Sequence, residues 1–135
     1  MFEIAILFAL LSLKHFIADG LLQTPYQFLN KGTLGHPGGI MHAGLHGFGT
    51  GFILIFFVDM PGYAAGLAIL DMIFHYFIDF SKVKLDKFFG CSSQGTDDLG
   101  KKCLRIYSPM YFYLLVADQS LHMATYGVIV ALTLL

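Results

Sequence analysis

The chain has 135 residues, of which 56% are hydrophobic, 16% aromatic and only 13% charged, with a mean hydropathy of +0.69 and a net charge of −1. A soluble domain carries roughly 25% charged residues, so too few are present here to cover a water-facing surface. The net charge by itself says little, and no nucleic-acid partner is expected. The composition reads as one integral membrane domain over residues 1–135, with the lipid bilayer as its partner.

Four apolar stretches, at about 2–22, 40–58, 62–80 and 110–135, each reach the roughly 17–25 residues that cross a bilayer core. The expected fold is therefore all-α, a four-helix bundle in the membrane with a cytoplasmic loop between the third and fourth spans. The first span begins Met1, Phe2, Glu3 without a basic leader, and Lys14, His15 and Asp19 stand where a small-residue cleavage site would be. It reads as a retained span, not a cleavable signal. Thr24–Gly39 holds Pro25, Pro37, Gly32, Gly35, Gly38 and Gly39 and reads as a loop, so the second span starts near Ile40. Pro61 and Gly62 make a tight turn into the third span, whose lysines Lys82, Lys84 and Lys87 suggest a helix running on into the headgroup layer. Gly90–Lys102 is polar and turn-rich, and Tyr107, Tyr111 and Tyr113 mark the interface where the fourth span begins. Cys91 and Cys103 match no zinc spacing and read as unpaired thiols.

Charge sets the expected orientation. Lys31 follows the first span, and Lys82, Lys84, Lys87, Lys101, Lys102 and Arg105 lie between the third and fourth. Four crossings put both loops on one side, while the termini and the Asp59–Gly62 turn carry no Lys or Arg. The positive-inside rule then assigns the basic loops to the cytoplasm and both termini to the outside, as in a bacterial inner-membrane protein.

Each span carries one pair of metal-capable side chains four residues apart: His15 and Asp19, His42 and His46, His75 and Asp79, Asp118 and His122. Residues at i and i+4 share a helix face, and ionisable groups inside apolar spans are functional candidates by default. Helix direction brings all four pairs into the cytoplasmic half at similar depth. Three buried carboxylates cost on the order of 8–10 kcal/mol on insertion scales, a cost that divalent cations offset well, since carboxylate and neutral imidazole are their usual ligands. Five His and three Asp suffice for two ions, with zinc, manganese or iron(II) favoured because no Cys or Met joins the set. Two metals about 3.5–4 Å apart commonly serve hydrolysis at phosphorus or carbonyl centres. Asp71 and Asp118 are the two candidates for a catalytic base; Asp71 either orients His75 or makes a separate polar contact. Gln23 and Gln119 are candidates to bind ligands or substrate. Lys31 and Lys82, with Lys14, are candidates to hold an anionic group at the cytoplasmic mouth. His36, in the loop, has no assigned role.

The ordered set His15-x-x-x-Asp19-x-x-x-Gln23, His42-x-x-x-His46, His75-x-x-x-Asp79-x-x-Lys82 and Asp118-Gln119-x-x-His122 resembles an uncharacterised family of small phage and bacterial membrane proteins. The resemblance covers nearly the whole chain outside 90–105. In its His/Asp style it is more distantly similar to predicted membrane-bound metal-dependent hydrolases and, through them, to the zinc phospholipase C group, although no counterpart of that group's N-terminal ligand is present. The expected function is metal-dependent hydrolysis of a phosphoester in a lipid or amphiphilic substrate at the cytoplasmic face. The alternatives are a proton or divalent-metal transporter or binding protein, a haem protein with paired axial histidines, and a non-enzymatic phage-type membrane effector.

Overall fold

A computed structural model describes residues 2–134. Met1, and Leu135 at the end of the fourth expected span, lie outside the described residues. The chain forms α1 (Phe2–Ile17), a π-helical turn (Ala18–Leu22), α2 (Pro25–Asn30), α3 (Pro37–Leu54), α4 (Pro61–Phe88), β1 (Ser92–Thr96), β2 (Lys102–Ile106) and α5 (Met110–Leu132). It is mostly helical, and the described residues include three helices long and apolar enough to cross a membrane: Phe2–Leu22, Pro61–Phe88 and Met110–Leu132.

Three expectations are corrected. The Thr24–Gly39 loop contains a short helix, because Pro25 sits in the first helical turn, where it starts a helix instead of breaking one. Thr24 and Gln27 close a reciprocal capping box around that start: the Thr24 hydroxyl accepts from the Gln27 N–H at 3.3 Å and the Gln27 side chain accepts from the Thr24 N–H at 2.8 Å. The second span begins at Pro37, not Ile40, because the His36 Nδ1 caps it by accepting from the Gly38 N–H at 3.1 Å. This helix ends at Leu54 with 18 residues, and its glycines and histidines dilute its hydropathy, leaving it less apolar than the membrane-length stretches of the other three. Finally, the polar segment after α4 is no irregular loop. β1 and β2 pair antiparallel, from Ser92 opposite Ile106 to Thr96 opposite Lys102, and the turn is held by Asp97, whose carboxylate accepts from the N–H groups of Leu99 and Lys101. Cys91 and Cys103 are both free thiols.

The long helices pack so that polarity is inverted relative to a soluble domain. Phe48, Phe52, Phe56, Ile69, Phe77, Phe112 and Val116 face outward, whereas five histidines and Asp71, Asp79 and Asp118 are buried. An apolar layer of Leu7, Leu11, Leu54, Leu67, Ile129 and Val130 closes one end of the molecule. The polar side chains occupy the other end, beside α2 and the hairpin. Small residues let α3 and α4 approach closely. A Cβ at Gly47 would lie 2.8 Å from the Ala68 carbonyl oxygen, and one at Gly51 would lie 3.2 Å from the Ala68 Cβ. Four-residue spacing of small residues is the usual contact between apolar helices, where backbone proximity supplies the packing that hydrophobic burial supplies in water.

Candidate metal centre

Each long helix delivers its pair from one face. α1 ends with His15 inward, and the chain widens into the π-helical turn that holds Asp19. Such a turn holds one more residue than an α-turn and is frequent at functional sites. His42 and His46 come from the first half and middle of α3, His75 and Asp79 from the second half of α4, and Asp118 and His122 from the first half and middle of α5.

All eight side chains meet. Asp19 Oδ1 lies 3.0 Å from His42 Nε2 and 3.2 Å from His46 Nε2, and the His42 and His75 Nε2 atoms are 3.2 Å apart. One carboxylate then links this group to the next: Asp79 Oδ2 is 3.3 Å from His42 Nε2 and 3.5 Å from His75 Nε2, while its Oδ1 is 4.0 Å from His122 Nε2. Asp118 Oδ1 lies 3.7 Å from His122 Nε2, and His15 Nε2 lies 3.3 Å from Asp19 Oδ2. The atoms sort into three overlapping groups compact enough to share an ion: Asp19, His42, His46 and His75; His15, His75 and His122; Asp79, Asp118 and His122.

These residues fit a metal chemically. Ligands on one tetrahedral zinc with bonds of about 2.0–2.1 Å are about 3.3 Å apart, close to the spacings in the first group. Asp79 Oδ2, Asp118 Oδ1, His122 Nε2 and His15 Nε2 are buried in the cluster with no hydrogen-bond partner among the described residues. Buried polar atoms are normally satisfied, and a cation would satisfy the acceptors. The far nitrogens, Nδ1 of His42, His46 and His75, also lack partners, so these rings are held by packing. His46 stacks on His75 with centroids 3.5 Å apart.

The rim separates the remaining expected residues. The Gln23 amide lies 3.0 Å from His42 Nε2, and Gln119 donates to Asp118 Oδ2 at 3.0 Å, orienting that carboxylate. Lys31 donates to Asp79 Oδ1 at 3.2 Å. Burial alone would lower the Lys31 pKa, but the carboxylates of Asp79, Asp19 and Asp118 outweigh it and raise it, so the ammonium persists. Lys82 is engaged elsewhere, with Asp86 at 2.7 Å and over the Tyr111 ring. It nevertheless borders an apolar groove of about 220 Å³ between α4 and α5, lined by Phe74, Phe77, Leu85, Leu114 and Leu121 and reaching Asp118.

Asp71 lies apart from the eight. It accepts from Lys14 at 2.9 Å and from the Thr50 hydroxyl at 2.5 Å, a separate polar contact that does not touch His75. Lys14 is therefore buried against Asp71 and not at the mouth, since one position along α1 turns it away from the His15 face. The phenol of Tyr126 joins this pair to the centre, 3.1 Å from Lys14 Nζ and 3.0 Å from His15 Nδ1. The sequence signal for Tyr126 was its place four residues after His122 on the same stripe. Lys102, which reaches the Asp19 carbonyl at 3.5 Å from the hairpin, carried no such signal.

A family model described as a protein of unknown function (DUF3307) matches residues 6–135. Neither the curated proteins nor the solved structures contain a match.

Proposed function

The chain belongs to the DUF3307 family, and we propose that it is a membrane-embedded, metal-dependent hydrolase acting on a phosphoester of a lipid or amphiphile at the basic face. In this reading α1, α3, α4 and α5 are four antiparallel spans. The hairpin and α2 sit at the cytoplasmic surface of a bacterial inner membrane, and both termini lie outside. The observation that carries it is the convergence of five imidazoles and three carboxylates, buried among apolar helices at mutual distances suited to shared ions. Two divalent cations, zinc, manganese or iron(II), would supply Lewis acidity toward a phosphoryl oxygen and a water acidified at neutral pH.

Asp19, His42, His46 and His75 would hold one ion, and Asp118 and His122 the other, with Asp79 shared between them. Of the two carboxylates considered, Asp118 is the one at the reacting centre: its Oδ1 is unpartnered inside the cluster and would hold the second ion, whereas both contacts of Asp71 go to Lys14 and Thr50. Lys31 keeps positive charge at the mouth, suited to an anionic headgroup, while the groove between α4 and α5 offers an apolar wall beside Asp118 for a lipid tail. Asp19, with its side chain 29% exposed, marks the open side of the cluster.

Transport of protons or divalent ions is the second reading, favoured by one feature: the polar contacts continue past His15 through Tyr126, Lys14, Asp71 and Thr50. Beyond them the layer of Leu7, Leu11, Leu54, Leu67 and Ile129 closes the molecule, which favours hydrolysis. The deciding experiment is elemental analysis of protein purified in detergent without chelators, beside His46→Ala and Asp79→Ala. The expected result is about two metal ions per wild-type chain and a loss in both variants. A metal-free wild type would overturn the proposal. Turnover of a chromogenic phosphodiester amphiphile in micelles, against cation flux in proteoliposomes, then separates the two readings.

A further inference from the structure

Resting on the metal-centre reading above, we infer that His15 is not a ligand but an N–H donor that binds an oxygen of the anionic phosphate headgroup. Three protons of the Lys14 ammonium have three acceptors: the His46 carbonyl at 3.3 Å, Asp71 Oδ2 at 2.9 Å and the Tyr126 phenolic oxygen at 3.1 Å. An ammonium has donors only, so the Tyr126 oxygen accepts. Tyr126 is fully buried, and its other polar contact is His15 Nδ1 at 3.0 Å. Its own hydrogen finds an acceptor there only when Nδ1 carries none; the opposite arrangement strands the phenolic hydrogen in the core.

A neutral imidazole with a bare Nδ1 carries its proton on Nε2. That nitrogen makes no well-formed hydrogen bond among the described residues; the Asp19 carboxylate lies 3.3 Å from it, and nitrogens of His75 and His122 come within 4.8 Å of the same ring. A protonated nitrogen cannot coordinate a cation. Two ions do not require it: Asp19, His42, His46 and His75 form one compact group and Asp79, Asp118 and His122 another, while the group that includes His15 draws its other members, His75 and His122, from those two. Seven side chains thus serve the ions, and the eighth offers a hydrogen to an anionic oxygen brought among them, a phosphoryl oxygen above all. Lys14 and Asp71 act through Tyr126 as positioning residues.

The test uses the full chain in detergent. In ¹⁵N-histidine NMR of chelator-treated protein, the resonances that vanish in His15→Gln are expected to show a protonated Nε2 and a bare Nδ1, and Tyr126→Phe to lose that preference. A protonated Nδ1 in the wild type would overturn the assignment. Metal analysis adds a second reading: His15→Gln and Tyr126→Phe should keep wild-type metal content while His46→Ala loses it, and a loss in His15→Gln equal to that in His46→Ala would overturn the assignment. Titration with inorganic phosphate and, separately, with a short-chain phosphatidic acid distinguishes free anion from lipid headgroup. His15→Gln should weaken whichever binds by about tenfold; binding of neither to wild type, or equal binding by both proteins, would overturn the ligand class. A metal-free wild type that still shows the Nε2 proton would remove the metal reading and leave the donor assignment standing.

Discussion

Asp79 is the residue on which the candidate centre turns. Its two oxygens face different imidazoles, and it also receives Lys31, so its charge is compensated from three helices at once. Asp79→Asn removes that charge and leaves Lys31 facing the centre unpaired. Breaking a buried pair in this way costs about 3–5 kcal/mol, expected as a lowered midpoint in detergent thermal unfolding as well as lost metal. Asp118 is different, because it belongs only to the group on the α5 side. Asp118→Asn is expected to abolish turnover while retaining about one ion of two, since Asp19, His42, His46 and His75 are untouched. Equal metal content in Asp118→Asn and wild type would remove Asp118 from the ligand set.

At the scale of elements, the contact between α3 and α4 is set by absent side chains. A methyl group at Gly47 would meet the Ala68 carbonyl at 2.8 Å and the Met72 Cβ at 2.9 Å, whereas Gly44, one turn earlier, has nothing within 4 Å. Gly47→Ala is expected to destabilise the protein by about 1–3 kcal/mol through overpacking. Gly44→Ala should be neutral or slightly stabilising, because alanine favours the helix. Thermal unfolding of the two variants side by side checks this, and equal effects would show that backbone proximity at Gly47 is not what holds the helices. Since α3 carries His42 and His46, separation at Gly47 should also lower metal content without touching a ligand.

The whole molecule is polarised along its long axis. Lys31, the lysines at the end of α4 and those of the hairpin lie at one end, beside the metal-capable cluster, and the other end is closed by leucine and isoleucine. If the helices cross a bilayer in that direction, the hairpin and the Asp59–Gly62 turn face opposite compartments. A membrane-impermeant maleimide applied to intact spheroplasts should label Met60→Cys in a Cys91→Ser, Cys103→Ser background, and should label a hairpin Gln94→Cys only in inverted vesicles. Labelling of both from the same side would refute the crossing pattern.

What the sequence determined by itself are the features that depend on helix periodicity and charge. Four-residue spacing forces His15 with Asp19, His42 with His46, His75 with Asp79 and Asp118 with His122 onto common faces, whatever those faces meet. The apolar lengths of the first, third and fourth stretches likewise fixed helices long enough to cross a membrane. Other features needed the tertiary structure, because they depend on neighbours distant along the chain. Position 14 reads as a rim lysine until α4 supplies Asp71 and α5 supplies Tyr126, and Asp71 reads as a possible base until Lys14 and Thr50 both take its Oδ2. The β-hairpin could not be read from Ser92–Thr96, which lacks apolar alternation; it exists because its strand partner Lys102–Ile106 supplies the hydrogen bonds. Periodicity says which way a side chain points along its own helix, and only packing between helices says which groups it meets.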